Sequence, residues 1–260
     1  MEYKIVEKNG YRYITIPELT ELGLKHAFTT IDMDIGMSTN KNIENLKKNV
    51  QEVYDFLDVQ PKILYNAYQT HSSNVAIIEN LEQGIESQLG RYFPDTDGLI
   101  TRRDDIALIT RFADCVPILL FDKTNKVMAN IHSGWKGTLK EITKQAIYVM
   151  KRSFNSDPKD IVAVIGPAIG RDDFEVQIDV ASQFKDKFID WEDTIRKKNE
   201  IKYLIDLQEI NKRILLDSGI QEKNLSIIDL STYKEKEIFH SFRRDGEKFG
   251  LMGLVSVLKL

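Results

Sequence analysis

The sequence predicts an α+β fold, a single domain of mixed β-sheets flanked by helices over residues 1–260. Three observations lead there. Short runs rich in β-branched and apolar residues recur along the chain, and segments of helical period lie between them. Runs of the first kind reach the C-terminal residues, and no linker, internal repeat or low-complexity tract divides the chain. With 42% hydrophobic and 29% charged residues the composition is that of an ordinary globular protein. A chain of this size buries about 70–75% of its unfolded surface, so its core needs neither disulfides nor metal.

The elements follow in chain order. Ile43–Leu57 reads as a helix, because Ile43, Leu46, Val50, Val53 and Leu57 fall on one face. Lys62–Tyr68 is strand-like. Strands are expected at Val75–Glu79, Leu99–Thr101, Ile106–Phe112, Val116–Phe121, Val127–Ile131, Ile161–Ile165, Leu225–Asp229 and Leu254–Leu258. Leu139–Met150 has helical period, and Thr138 with Glu141 reads as a capping box that starts this helix directly after Gly137. Leu207–Ser218 is a third helix, with Asp206 as N-cap and Gly219 for a left-handed C-terminal position. Asp186–Lys202, the most charged stretch, reads as a solvated surface excursion.

Charge and composition narrow the function. Lys and Arg number 36 against 40 Asp and Glu, a formal charge of −4, which offers no field for the phosphate backbone of a nucleic acid. Met1–Gly10 carries charges where a secretion signal needs an apolar stretch, and no window reaches the roughly 20 apolar residues of a membrane span. One cysteine cannot form an internal disulfide, which fits a reducing compartment. The expectation is a cytoplasmic protein with no nucleic-acid or membrane partner, and no protein partner is inferable from the chain.

Chemistry concentrates at strand boundaries. Of four histidines, His71 follows the strand-like Lys62–Tyr68, and His132 closes the run Val127–Ile131 ahead of a glycine-flanked turn. Cys115 sits between two apolar runs, beside Asp114. Taken singly, a histidine or cysteine is more often a structural residue than a ligand. Brought together, His71, Cys115 and His132 would make a three-ligand zinc site with an open fourth position. The same residues could equally make a Cys–His nucleophile pair. Their spacing does not choose. Gly134-Trp135-Lys136-Gly137 places a cation and a large aromatic at a helix start, a setting for an anionic or aromatic ligand and equally for a tight turn with a core Trp. Arg243 and Arg244 offer guanidiniums suited to phosphate or carboxylate.

Read together, six segments resemble a known family. They are Gln69-Thr70-His71, Thr96-Asp97-Gly98-Leu99-Ile100-Thr101, Ala113-Asp114-Cys115-Val116-Pro117, His132-Ser133-Gly134-Trp135-Lys136-Gly137, Gly166-Pro167-Ala168-Ile169-Gly170 with Phe174-Glu175-Val176, and Ser241-Phe242-Arg243-Arg244-Asp245-Gly246. In this order they resemble the laccase-domain family, also called multicopper polyphenol oxidase-like or peptidoglycan editing factor proteins. The resemblance implies zinc held by His71, Cys115 and His132. It also implies purine nucleoside chemistry, as a phosphorylase of adenosine, inosine, guanosine or methylthioadenosine and as an adenosine deaminase. Purine nucleoside and phosphate would be the partners. Within it, Cys115, His71, His132 and Asp114, the last as proton carrier, would be catalytic. Gln69, Trp135, Lys136, Arg243 and Arg244 would bind substrate. The older oxidase label implies copper, but one cysteine and four histidines cannot supply the ten or so ligands of a multicopper cluster.

The chain departs from the family pattern in places. After Phe28-Thr29-Thr30 it has Ile31 where an arginine is usual, and Lys136 replaces the arginine of the glycine-tryptophan turn. Asp172 and Asp173 stand where cysteines are frequent, and Ser231-Thr232-Tyr233-Lys234 replaces a Cys-x-x-Cys-like position. Lysine keeps the charge but loses the guanidinium fork that orients phosphate. The expectation is phosphorolysis weakened relative to deamination. A metal-free Cys–His hydrolase and a non-catalytic peptidoglycan-editing or assembly factor are the alternatives.

Overall fold

The computed structural model describes residues 1–259 and shows why the apolar runs are strands. In Val116–Asp122 every residue is buried, with alternate side chains entering two different cores. Ile118 and Leu120 pack against Ile142, Ala146 and Met150 of helix Ile142–Phe154 and Ile210 and Ile214 of helix Leu207–Asp217. Leu119 and Phe121 point the other way, onto Phe28, Tyr65, Leu108 and Leu254 of a second sheet. The outer face of that second sheet, through Ala107, Ile109, Val255 and Val257, packs on Leu46, Val50 and Val53 of helix Ile43–Leu57. Period-2 alternation of a strand buried on both faces thus produces a helix–sheet–sheet–helix sandwich, the α+β architecture expected.

The larger sheet has eight strands in the order Lys4–Lys8, Tyr11–Thr15, Leu24–Thr29, Met252–Leu258, Ile106–Phe112, Ile63–Ala67, Gly90–Phe93, Ile85–Ser87. The smaller has six, in the order Leu225–Ile227, Ile161–Ile165, Val116–Asp122, Val127–Ser133, Gly98–Thr101, Val75–Ile78. Three times the chain leaves the large sheet and enters the small one: from Ala67 to Val75, from Phe93 to Gly98 and from Phe112 to Val116. These passages carry the site. Among the described residues no helix is long and apolar enough to cross a membrane.

Two expectations are corrected. The capping box at Thr138 does not form. The chain enters a short helix, Trp135–Leu139, capped by the Gly134 backbone, breaks at Glu141 (φ 53°) and restarts as Ile142–Phe154. Thr138 Oγ1 instead lies 2.9 Å from Ser133 Oγ and 3.1 Å from Asn211 Nδ2, so a buried polar network has taken the hydroxyl from the cap. The stretch Asp186–Lys202 is also more ordered than a plain excursion. Trp191 stacks on Phe188 with ring centroids 4.8 Å apart, and Ile195–Lys197 joins Glu175–Gln177 and Lys202–Ile205 in a three-stranded sheet.

Candidate metal centre

Each passage between the sheets delivers one part of the site, and Asp97 organises them. Its carboxylate is fully buried and accepts the backbone N–H groups of Thr70 (3.1 Å), His71 (3.1 Å) and Ser72 (2.7 Å), together with the Ser72 hydroxyl (2.7 Å). The first passage is therefore wrapped around the second. His71 takes a left-handed conformation within this wrap (φ 62°), and so does Asp114 in the third passage (φ 87°). Such conformations are uncommon for non-glycine residues and persist only where neighbours hold them. The third passage is clipped to the first by Gln69, whose side-chain amide donates to the Arg111 carbonyl and accepts its N–H, both at 2.7 Å.

His132 sits at the end of strand Val127–Ser133, 4% exposed, and its Nδ1 lies 2.8 Å from Asp97 Oδ1. With Nδ1–H donated to the carboxylate, Nε2 is the nitrogen left for a metal once the proton that Asp97 and Cys115 stabilise on the ring has been given up. Cys115 Sγ lies 3.6 Å from His71 Nε2. One ligand atom from each of His71, Cys115 and His132 falls within 4.8 Å of the others, and among the described residues this is the one His/Cys/Asp/Glu group so arranged. Gly134 makes room for it. A methyl group there would lie 2.3 Å from His71 Cδ2 and 3.0 Å from Cys115 Sγ.

The electrostatics match the geometry. Burial opposes ionisation of Asp97, but the hydrogen bonds and charge of His132 and the Ser72 donors hold its carboxyl down at about 2. Burial works to raise the Cys115 thiol, yet His132 and His71 pull it below the usual thiol range. His132 moves oppositely: burial lowers it, while Cys115 and Asp97 together raise it above an ordinary histidine. A thiolate, a buried imidazole oriented by a carboxylate and a second imidazole form a donor set for a borderline-soft divalent cation.

The remaining expected site residues are placed as follows. Asp114 is turned to the loops beyond the ligands: Thr232 Oγ1 and the Arg243 N–H each donate to it at 2.7 Å, occupying both its oxygens. The Gln69 amide is spent on the Arg111 backbone. Trp135 is half-buried against the helix-side core, and the exposed Lys136 places Nζ 5.4 Å from its ring. Arg243 is exposed, donates Nη1 to the Glu175 carbonyl at 2.9 Å and lies over Phe174. Arg244 is a staple, donating to the carbonyls of Thr232, Tyr233 and Phe239 and pairing with Asp245. Two parts of the site were not picked out as such from the sequence, Asp97 and Gly134. The available signal was that both lie inside the family-like segments, Asp97 within Thr96-Asp97-Gly98.

Relatives share this chain over most of its length. It is 33% identical over 84% of its length to a purine nucleoside phosphorylase of Clostridium acetobutylicum, covering 85% of that protein. It is 32% identical over 80% of its length to a purine nucleoside phosphorylase of Bacteroides thetaiotaomicron, covering 77%. The crystal structure of the hypothetical protein YfiH of Bacillus licheniformis superposes with a TM-score of 0.88 at 28% identity, covering 97% of this chain and all of that one. Residues 24–259 match the profile described as multi-copper polyphenol oxidoreductase laccase, and the chain belongs to that family.

Proposed function

We propose that the protein is a zinc-dependent purine nucleoside enzyme, acting as one cytoplasmic domain on adenosine, inosine, guanosine or methylthioadenosine by phosphorolysis and on adenosine by deamination. The observation that carries the metal is the 3.6 Å between Cys115 Sγ and His71 Nε2. Tetrahedral zinc, with bonds of roughly 2.3 Å to sulfur and 2.05 Å to nitrogen, holds two such donors about 3.6 Å apart. The donor set argues against the copper of the family label, since His71, Cys115 and His132 are three ligands in a chain with four histidines. The names of the relatives supply the substrate class.

His71, Cys115 and His132 would hold the zinc, which when bound supplies Lewis acidity beside the purine. Asp97 fixes the His132 tautomer and keeps Nε2 available. Gly134 keeps the approach to the ligands open. Asp114 ties the Cys115 segment to the backbone of Arg243, so its role in this reading is to hold a cation near the site rather than to carry a proton. Lys136 and Arg243 are the exposed cations on the segments around the centre, and one ammonium with one partly engaged guanidinium orients phosphate less well than paired forks. Phosphorolysis is therefore expected to be weaker than deamination.

The test is a turnover screen on zinc-loaded protein with adenosine at saturating phosphate. Inosine should exceed adenine and ribose 1-phosphate; a large excess of the latter pair overturns the expected ranking. No turnover of any purine nucleoside, with or without phosphate, leaves the non-catalytic reading. The Asp97–His132–Cys115 chain of contacts also suits a metal-free Cys–His hydrolase. Iodoacetamide separates the two. A free activated thiolate alkylates with or without chelator, whereas a zinc-bound Cys115 alkylates only after chelation.

A further inference from the structure

The N-terminal hairpin ends the large sheet in an open edge. Strand Lys4–Lys8 pairs with Tyr11–Thr15 on one side, and among the described residues its other side meets no backbone partner. The whole strand is exposed, Ile5 at 44% and Val6 at 36%. Every other edge strand is shorter, three residues long apart from the half-buried Val75–Ile78. One of these, Leu225–Ile227, is also crossed by the chain start, since the Ser226 hydroxyl donates to the Met1 carbonyl at 3.1 Å. Lys4–Lys8 has five residues, no proline and an unbroken register. Such an edge is a template for pairing with another strand.

The turn fixes which backbone groups are free. Asn9 (φ 56°) and Gly10 (φ 79°) make a two-residue turn with both central residues left-handed, which closes Lys8 and Tyr11 as a hydrogen-bonded pair. Alternation then turns the N–H and C=O of Lys8, Val6 and Lys4 toward Tyr11–Thr15, and those of Glu7, Ile5 and Tyr3 outward. The neighbouring strand agrees with this phase. Its Arg12 and Ile16 N–H groups point away from Lys4–Lys8, to Asp32 Oδ2 (2.8 Å) and His26 Nε2 (3.0 Å). Side chains divide in the same way. Lys8 lies on the helix side, with Nζ donating to the Asp55 carbonyl at 2.5 Å, and Ile5 lies beside Ile14 on the side of the second sheet.

We propose that this edge pairs with the same edge of a second copy, antiparallel and centred on Ile5, so that the two large sheets become one across a two-fold axis. An axis normal to the sheet sets one residue opposite its own copy, and each of the five strand residues could be that centre. Charge selects among them. Centres at Lys4, Glu7 or Lys8 set like charges face to face, and a centre at Val6 sets Lys4 against Lys8 twice. Like charges directly opposite are destabilising. The Ile5 centre sets Ile5 on Ile5, Tyr3 on Glu7, Lys4 on Val6 and Glu2 on Lys8. Its bonded positions are Tyr3, Ile5 and Glu7, the ones whose backbone groups are free, and about six N–H···O=C bonds form across the axis. Lysines that blunt the edge against other strands thus fit its own copy. One strand from each copy makes a small interface, so the dimer is of the weak class and forms at high protein concentration.

Sedimentation equilibrium of the full chain, from micromolar to millimolar protein at low salt, tests this. The wild type should pass from monomer to dimer and no further, because the two-fold contact closes on itself. Ile5→Pro removes an outward N–H at the centre and none of the hairpin's own bonds, and it should stay monomeric throughout. Glu2→Lys or Lys8→Glu alone should weaken the dimer about three- to thirtyfold, the scale of two exposed ion pairs turned repulsive. The double variant Glu2→Lys/Lys8→Glu swaps the charges and should restore the wild-type dissociation constant. If Ile5→Pro does not fold, amide exchange of the wild type decides instead: the Ile5 and Glu7 amides should gain protection as concentration rises, while Val6 is protected already. A protein monomeric at every concentration would leave the edge to a strand of another protein and overturn the second copy as its occupant. A dimer undisturbed by Ile5→Pro, a double variant no tighter than the single ones, or Ile5 and Glu7 exchange independent of concentration would each overturn this pairing.

Discussion

His132 and His26 are buried alike and behave oppositely. His26, 0% exposed in strand Leu24–Thr29, is surrounded by backbone: its Nε2 accepts the Ile16 N–H at 3.0 Å and its Nδ1 faces the Leu24 carbonyl at 3.3 Å. A neutral ring satisfies both contacts, and burial takes its pKa down to about 4, with the Leu24 carbonyl opposing only weakly. His132 has the same burial but faces the Asp97 carboxylate and the Cys115 sulfur, and it is raised. Enclosure alone says little about the protonation of a histidine. The charge of the groups beside it decides whether the ring is a silent core residue or part of a reactive centre.

The largest effect expected of that contrast is on metal content. Cys115→Ser should lose bound zinc, and Gly134→Ala should lose it too by driving a methyl group into His71 and Cys115. His26→Gln, at the other kind of site, should keep full occupancy. Elemental analysis of protein prepared without chelators reads all three, and equal zinc in the Cys115 and His26 variants would sink the assignment.

The next effect is on acid stability, and His26 carries it. Its ring binds a proton near pH 6.5 when unfolded and only near pH 4 when folded. As pH falls through this window the unfolded state takes up the proton first, so stability declines and then levels off below pH 4. The loss is on the order of 3 kcal/mol. Urea titrations at steps between pH 7 and 4 should show this slope in the wild type and its absence in His26→Gln. An identical slope in both would place the effect elsewhere.

A smaller effect is expected at Asp97, which holds the His132 ring. Asp97→Asn keeps the shape but removes the charge, and zinc affinity should fall about 10- to 100-fold, as when other carboxylates behind metal-bound histidines are removed. Competition with a chromogenic chelator measures it. In the metal-free protein the carboxylate's contribution to stability is complete above its unfolded pKa of about 4. It is lost as pH falls toward 2, a component that the Asn variant lacks. The least effect belongs to Lys136, exposed and held only against Trp135. Lys136→Ala should slow phosphorolysis about two- to fivefold, the scale of an exposed charge, and leave deamination alone. An unchanged phosphorolysis rate would remove that lysine from phosphate binding.

Strands buried on both faces and a helix with one apolar face were the most legible in the sequence. Ile106–Phe112, Ile161–Ile165 and helix Ile43–Leu57 lie where periodicity puts them, because tertiary burial reinforces the local pattern there. Strand Lys4–Lys8, exposed throughout, carries charges that hide it, and among the described residues it pairs only with Tyr11–Thr15. Thr138 and Glu141 fit a cap locally and were overruled by Ser133 and Asn211, from 5 and 73 residues away. In the site, His71, Cys115 and His132 stood out at strand boundaries, but their convergence depends on three passages between sheets that spacing does not encode. Asp97 reads as a turn residue until His132 is seen on it.

The three passages also set a temporal order. Neither sheet alone owns the centre, since His71 and Cys115 lie on chain leaving the large sheet and His132 ends a strand of the small one. A nascent or partly unfolded chain therefore has no preassembled pocket to offer the ion, and high-affinity capture must wait until both layers have docked. A metal held by all three ligands would oppose separation of the layers, and its departure would be coupled to the slowest opening of the molecule. Hydrogen exchange of the Val127–Ser133 amides should slow when zinc is added, and the rate of zinc release to excess chelator should track that opening rather than the chelator concentration.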